Sequence, residues 1–103
     1  MSKVFVIKDE KVGFMGIIQD SNYEVAKFNF GKGFYREKPE FGRLEDYSLY
    51  CVGDFDLEKG LIPHPLDFVC NGLTAYKDFV SHLNHFNASV EEVHEDENPD
   101  FEE

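Results

Sequence analysis

The apolar positions of this chain fall into short runs whose period changes from one segment to the next. Val4, Phe5, Val6 and Ile7 form an unbroken apolar run, the pattern of a strand buried on both faces. Lys8, Asp9, Glu10 and Lys11 make a polar turn. Residues 12–18 read as a second short strand, and Gly13 and Gly16 within it point to a bulge or a close backbone approach. Asp20, Ser21 and Asn22 then offer a helix start. Ser21 followed by Glu24 has capping-box spacing, in which hydroxyl and carboxylate each satisfy an orphan backbone donor. Val25 and Phe28 continue one face of that helix, and Gly31 and Gly33 are expected to end it. Pro39 and Gly42 mark an irregular loop.

The clearest alternation covers residues 47–55, where Tyr47, Leu49, Cys51, Gly53 and Phe55 interleave with Ser48, Tyr50, Val52 and Asp54. Residues 56–60 form a hairpin loop in which Gly60 suits a positive φ. Leu61 and Ile62 begin the return strand. Pro63 and Pro65 cannot donate to a ladder, so this strand is expected at an edge or broken. Periodicity does not assign the apolar segment 66–70. Leu73, Tyr76, Val80 and Leu83 follow helical spacing, widened by Phe79 and Phe86, and predict a helix over 73–86 with Thr74 as its N-cap. The sum is an α+β fold: a small antiparallel sheet of three to four strands, two helices, and a disordered acidic C-terminal tail. Residues 1–89 are expected to form the single domain and 90–103 the tail.

Length and charge sharpen this picture. A chain of 103 residues has room for one domain with a modest core. No apolar run approaches the ~18 residues a membrane span needs, and the opening apolar strip is too short for a signal peptide. A cytoplasmic protein with no membrane partner is the expectation, and Cys51 and Cys70 fit it as buried thiols without metal spacing. The formal net charge of −11 is unevenly spread. Residues 91–103 hold eight acids and no base, a run that self-repels and does not repay ordering. Within it, Phe101 beside Asp100 is an apolar anchor that a purely solvating tail would not need. Residues 27–43 have the opposite sign, with five bases against two acids.

The candidate chemistry lies in that basic segment. Lys27, Lys32, Arg36, Lys38 and Arg43 supply cations for phosphates, and Phe34 and Tyr35 supply faces on which bases stack. Gly31 and Gly33 would let the backbone approach a phosphate. The bland alternative is that phenylalanines at helical spacing are core, above all Phe28, and that lysines are solvated. An enzyme is not expected. Gly31-Lys32-Gly33 lacks the context of a phosphate-binding glycine motif, and no nucleophile has a convincing base. Asp78, His82 and His85 share helical spacing, but a solvated polar face explains them better than a metal site. No cofactor is expected.

Three segments, VFVIKDEKVG, QDSNYEVAKFNF and above all LEDYSLYCVGDFDLEKGLIPHP, carry a family resemblance. They resemble the small nonstructural protein of the gokushovirus branch of the Microviridae, tailless bacteriophages with circular single-stranded DNA. The most specific stretch is residues 45–56, and the resemblance covers about residues 3–70. It implies a DNA-binding protein of the bacterial host cytoplasm, acting in genome replication, in the switch to single-stranded DNA synthesis, or in packaging. Single-stranded DNA is then the expected partner of residues 27–43. The acidic tail would compete for that segment and recruit a replication protein through Asp100 and Phe101. The contrasting hypothesis is an acidic regulator that binds a host or phage replication protein without touching DNA. A homodimer is a further expectation, because an edge strand and an apolar helix invite self-association. The two functions separate on whether the basic residues share one exposed face or scatter into ion pairs.

Overall fold

The computed structural model describes residues 1–37 and 43–93, with side chains described through His85. Its elements in chain order are β1 (Ser2–Asp9), β2 (Gly13–Asp20), α1 (Tyr23–Glu37), a short 3-10 turn (Leu44–Asp46), β3 (Tyr47–Asp56), β4 (Gly60–Asn71) and α2 (Gly72–Val93). The strands form one antiparallel sheet in the order β2-β1-β3-β4. Both helices contribute to the same core, so they lie on one face of the sheet. This is the expected small α+β architecture, with β4 at the edge where its two prolines do no harm.

The strands run longer than their apolar centres. β1 continues through Lys8 and Asp9 because both pair with β2 on one side and β3 on the other. A bulge between Ile7 and Lys8 leaves Met15 of β2 without a partner across the ladder, next to the Gly16 that signals it. A second irregularity falls at Val52, between the pairs Val4–Gly53 and Phe5–Cys51. β4 pairs with β3 at both ends, Gly60–Leu61–Ile62–Pro63 and Asp67 through Asn71, so the unassigned segment 66–70 is the second half of this strand. Gly60 takes the positive φ of 81° that the hairpin requires.

The helices differ from the sequence expectation at their ends. Asn22, not Ser21, caps α1: its Oδ1 accepts the Val25 amide at 2.9 Å. Asn71, not Thr74, caps α2, accepting the Thr74 amide at 2.8 Å. In both cases the amide side chain sits three residues before the donor it satisfies. α1 does not stop at Gly31 or Gly33 but continues to Glu37. The reason is packing. Gly31 is buried where α1 crosses α2, and a Cβ there would overlap the Ala75 carbonyl, 2.7 Å from its carbon, and crowd Phe79 at 3.2 Å. The missing side chain is what admits the second helix. α2 likewise passes the expected end at Phe86 and reaches Val93, since no glycine or proline intervenes to stop it.

The core is aromatic and lies between the sheet's inner face and the helices. Phe5, Leu49 and Cys51 are fully buried, joined by Ala26, Phe30, Tyr47, Cys70 and Ala75. Edge-to-face pairs tie it together, Phe5 with Tyr23 at 5.6 Å and Phe30 with Phe34 at 4.9 Å between ring centroids. Both cysteines are free and buried, and burial pushes the Cys70 thiol up to about 11.

Two predictions follow from the core. Gly31→Ala lowers the stability to urea by ~1–3 kcal/mol through overpacking, whereas Gly33→Ala, where a Cβ meets nothing within 4 Å, raises it by about 0.5–1 kcal/mol through helix propensity. Equal effects at the two glycines would refute the close crossing. In thiol labelling at pH 8, Cys51 and Cys70 react on the order of a hundredfold more slowly in the folded protein than in the unfolded chain. A thiol that labels rapidly under native conditions contradicts the burial of both.

Candidate nucleic-acid interface

The basic segment is divided by the fold. Its first eleven residues form most of α1, Lys38 lies outside the described residues, and Arg43 precedes the 3-10 turn. Lys27 points toward α2 and pairs with Asp78 at 3.4 Å. Arg43 pairs with Glu45 at 2.8 Å. Phe34 turns inward, its ring 5.4 Å from Tyr47 and packed against the buried cluster, away from the exposed side of α1. Gly31 is filled by the α2 backbone and offers no approach to a phosphate.

What remains exposed is a short strip along α1. Lys32 and Arg36 stand one helical turn apart, both exposed and without an ion pair among the described residues. Tyr35 lies beside them, 39% exposed, with its ring 5.3 Å from Phe79 and 6.5 Å from Tyr76. Phe28 is also partly open at 37%, held edge-on to Phe79 and His82. The sequence reading of Phe28 as core is therefore only half met: one side packs between the helices and the other faces water. The basic residues neither share one face nor scatter completely; two stay on the strip and two are neutralised.

Other clusters were not visible in the sequence. Tyr23 donates to Asp67 of β4 at 2.5 Å, and that bond together with burial raises the phenol above its ordinary range. The pair fastens the start of α1 to the sheet edge. His64 bonds the Pro65 carbonyl through Nδ1 at 2.8 Å; a carbonyl only accepts, so Nδ1 carries the proton and Nε2 faces Cys51 Sγ at 3.6 Å. This resembles a thiol with a base, but Cys51 is wholly buried and its Sγ also contacts the Gly53 carbonyl, so no substrate reaches it. Register pairs Cys51 with Asp67 and Gly53 with Pro63, so Pro63-His64-Pro65 did not announce this contact in the sequence. Asp78 is taken by Lys27 and His82 by Phe28, and among the described residues no group of three or more His, Cys, Asp or Glu could hold a metal ion.

A cleft of about 650 Å³ opens between α1 and the β1–β2 side of the sheet, walled by Ile7, Met15, Ile18, Phe30, Phe34 and Tyr47. Asp20 and Glu37 add carboxylates to it, and the Asn29 amide donates to Asp20 at 3.3 Å. Apolar walls with carboxylates repel a phosphate backbone, so the cleft does not extend the basic strip. Among the described residues no helix is long and apolar enough to cross a membrane.

Comparison with known proteins adds one finding. No curated protein and no solved structure matches the chain. A family model described as "Phage ORF5 protein" matches residues 2–75, which takes in the whole sheet, α1 and the first turn of α2. That span carries every element of the fold except the length of α2, and on it the chain belongs to the phage ORF5 protein family.

Proposed function

We propose that this phage protein is a noncatalytic, single-stranded DNA-binding accessory protein of the gokushovirus type. It would act in the host cytoplasm during genome replication or the switch to single-stranded DNA synthesis. The observation that carries the reading is the strip on α1, where Lys32 and Arg36 remain exposed and without an ion pair among the described residues, with the half-open ring of Tyr35 beside them. Cations spaced one turn apart meet successive phosphates, and the ring beside them supplies a stacking face. The site is smaller than residues 27–43 suggest, because Lys27 and Arg43 are already paired within the chain. Lys38 stands two residues after Arg36 in sequence and belongs to the same proposal. The resemblance of residues 45–56 to gokushovirus nonstructural proteins supports the same role. The acidic residues 91–103 are proposed to compete with DNA for the strip, with Asp100 and Phe101 free to engage a replication protein.

The ion pairs of Lys27 with Asp78, Arg43 with Glu45 and Lys11 with Asp46 favour a second reading. They leave a strongly acidic surface with little net positive field, which suits a regulator that binds a replication protein without DNA.

Anisotropy titration of a labelled single-stranded oligonucleotide at several salt concentrations separates the two. Lys32→Glu with Arg36→Glu abolishes binding at moderate salt. Their charge-removing counterparts, Lys32→Gln with Arg36→Gln, flatten the log–log salt slope by about 1.4, the loss of two phosphate contacts. Tyr35→Leu keeps the packing against Phe79 but costs ~1–3 kcal/mol of binding. Removal of residues 94–103 strengthens binding. Absence of salt-sensitive binding in both full-length and shortened chains rejects the DNA reading in favour of the regulator.

A further inference from the structure

The sheet has a second face, which neither helix touches. Register puts Val6 of β1 beside Ile17 of β2 on one side and Tyr50 of β3 on the other, and Tyr50 beside Phe68 of β4. Phe14 of β2 pairs with Lys8 on the same face. An apolar stripe thus crosses all four strands. Ile17 is 74% exposed, Phe14 59% and Phe68 57%, so no described residue covers it. An antiparallel sheet with one face in water ordinarily alternates apolar with polar positions. β1 does not: Phe5 and Ile7 face the helices while Val6 faces outward beside Ile17 and Tyr50, and Val4 on the same side is only 9% exposed. The strand is built for cover on both sides, and on the outer side the flanking Ile17, Phe14 and Phe68 are left open.

We propose that a second copy of this chain covers the outer face, making a two-fold dimer packed sheet to sheet. Charge selects this occupant. The stripe's one cation, Lys8, lies 5.3 Å over the Phe14 ring and 3.4 Å from Glu10, and the Tyr50 hydroxyl donates to Glu10 at 2.7 Å. These charges are satisfied within the chain, so the face neither attracts a phosphate backbone nor asks for a basic peptide. It fits an uncharged apolar surface of its own kind, and a two-fold axis through the stripe supplies one. In a chain of net charge −11, a face whose carboxylates are absent or paired is one across which two copies meet without like-charge contacts. The dimer does not depend on the DNA reading.

Sedimentation equilibrium of the full chain at low and high salt tests the proposal. The expected result is a mass twice the 11.9 kDa of the chain, with association that tightens as salt rises because like charges are screened. Ile17→Lys weakens association at least tenfold while circular dichroism and the unfolding midpoint of the dilute protein stay unchanged. Leu57→Lys, in the β3–β4 turn and 94% exposed, leaves the mass as it was. Should Ile17→Lys fail to fold, Phe68→Gln at the opposite edge gives the same readout. A monomer at every concentration and salt overturns the proposal, as does a dimer untouched by a folded Ile17→Lys or Phe68→Gln chain. A monomeric protein whose oligonucleotide binding is lost on folded Phe68→Gln also overturns it and makes the face a stacking platform.

Discussion

The close crossing of α1 and α2 at Gly31 is the constraint on which the rest of the structure depends. Four strands at about 4.8 Å spacing make a sheet only some 15–20 Å wide. Two helices side by side need about 8–10 Å each, and the lower end requires a small residue at the contact. Gly31 against the Ala75 backbone meets that need. Because the helices fit together, Ala26, Phe30 and Ala75 all reach the core over Phe5 and Leu49, and the inner face is covered apart from the cleft on its β1–β2 side. Because both are used on one side, none remains for the other. The same contact keeps α1 helical through Gly33, and that continuation is what sets Lys32 and Arg36 on one exposed line.

Tethers at the edges hold the start of α1 to the sheet and the strands to one another. Tyr23 anchors the first turn of α1 to Asp67 on β4, and its ring rests edge-on against Phe5. Lys3 lies 5.9 Å over the Tyr23 ring and pairs with Asp54 at 3.0 Å, a bond that holds its ammonium above the usual lysine range. At the far end Glu10 accepts from Tyr50, and with the Ser48 and Lys8 contacts this draws its carboxyl below the ordinary carboxylate range. These pairs are solvent-exposed and individually weak. Their effect is orientation, since each joins a strand end to the element that follows or faces it.

Much of the fold was legible because its signals are local. The alternation over residues 47–55, the Gly60 turn and the stripe of Leu73, Tyr76 and Val80 each depend on neighbours in sequence, and β3, the hairpin and α2 stand where those patterns put them. Glycine was the main source of error. Gly31 and Gly33 carry the same sequence signal whether they end a helix or admit a neighbour, and only the position of Ala75, forty-odd residues away, separates the two. The caps slipped by one and three residues because Ser21 and Asn22, and Asn71 and Thr74, are all competent capping types. The candidate site suffered from the same blindness to distance. Nothing near Lys27 in sequence announces Asp78, so its neutralisation was invisible, whereas Lys32 and Arg36 stay exposed for the local reason that they share a helix face.

The partition of charge and apolar surface follows from the two-layer build. The helix layer shows water its cations and the partly open rings of Phe28 and Tyr35, and the sheet's outer side shows Ile17, Phe14 and Phe68. These surfaces lie on opposite sides of the fold, with the core between them, so the two proposed interactions do not compete for area. A sheet-to-sheet dimer would turn both α1 strips outward and away from each other. Each copy would then meet its own stretch of polyanion, and the covering of apolar surface would add nothing to the contacts with phosphate. Salt divides them as well: screening removes the repulsion between two acidic chains but also the attraction of Lys32 and Arg36 for a polyanion. One variable thus moves the two equilibria in opposite directions, because the apolar face and the basic strip of this fold draw on different forces.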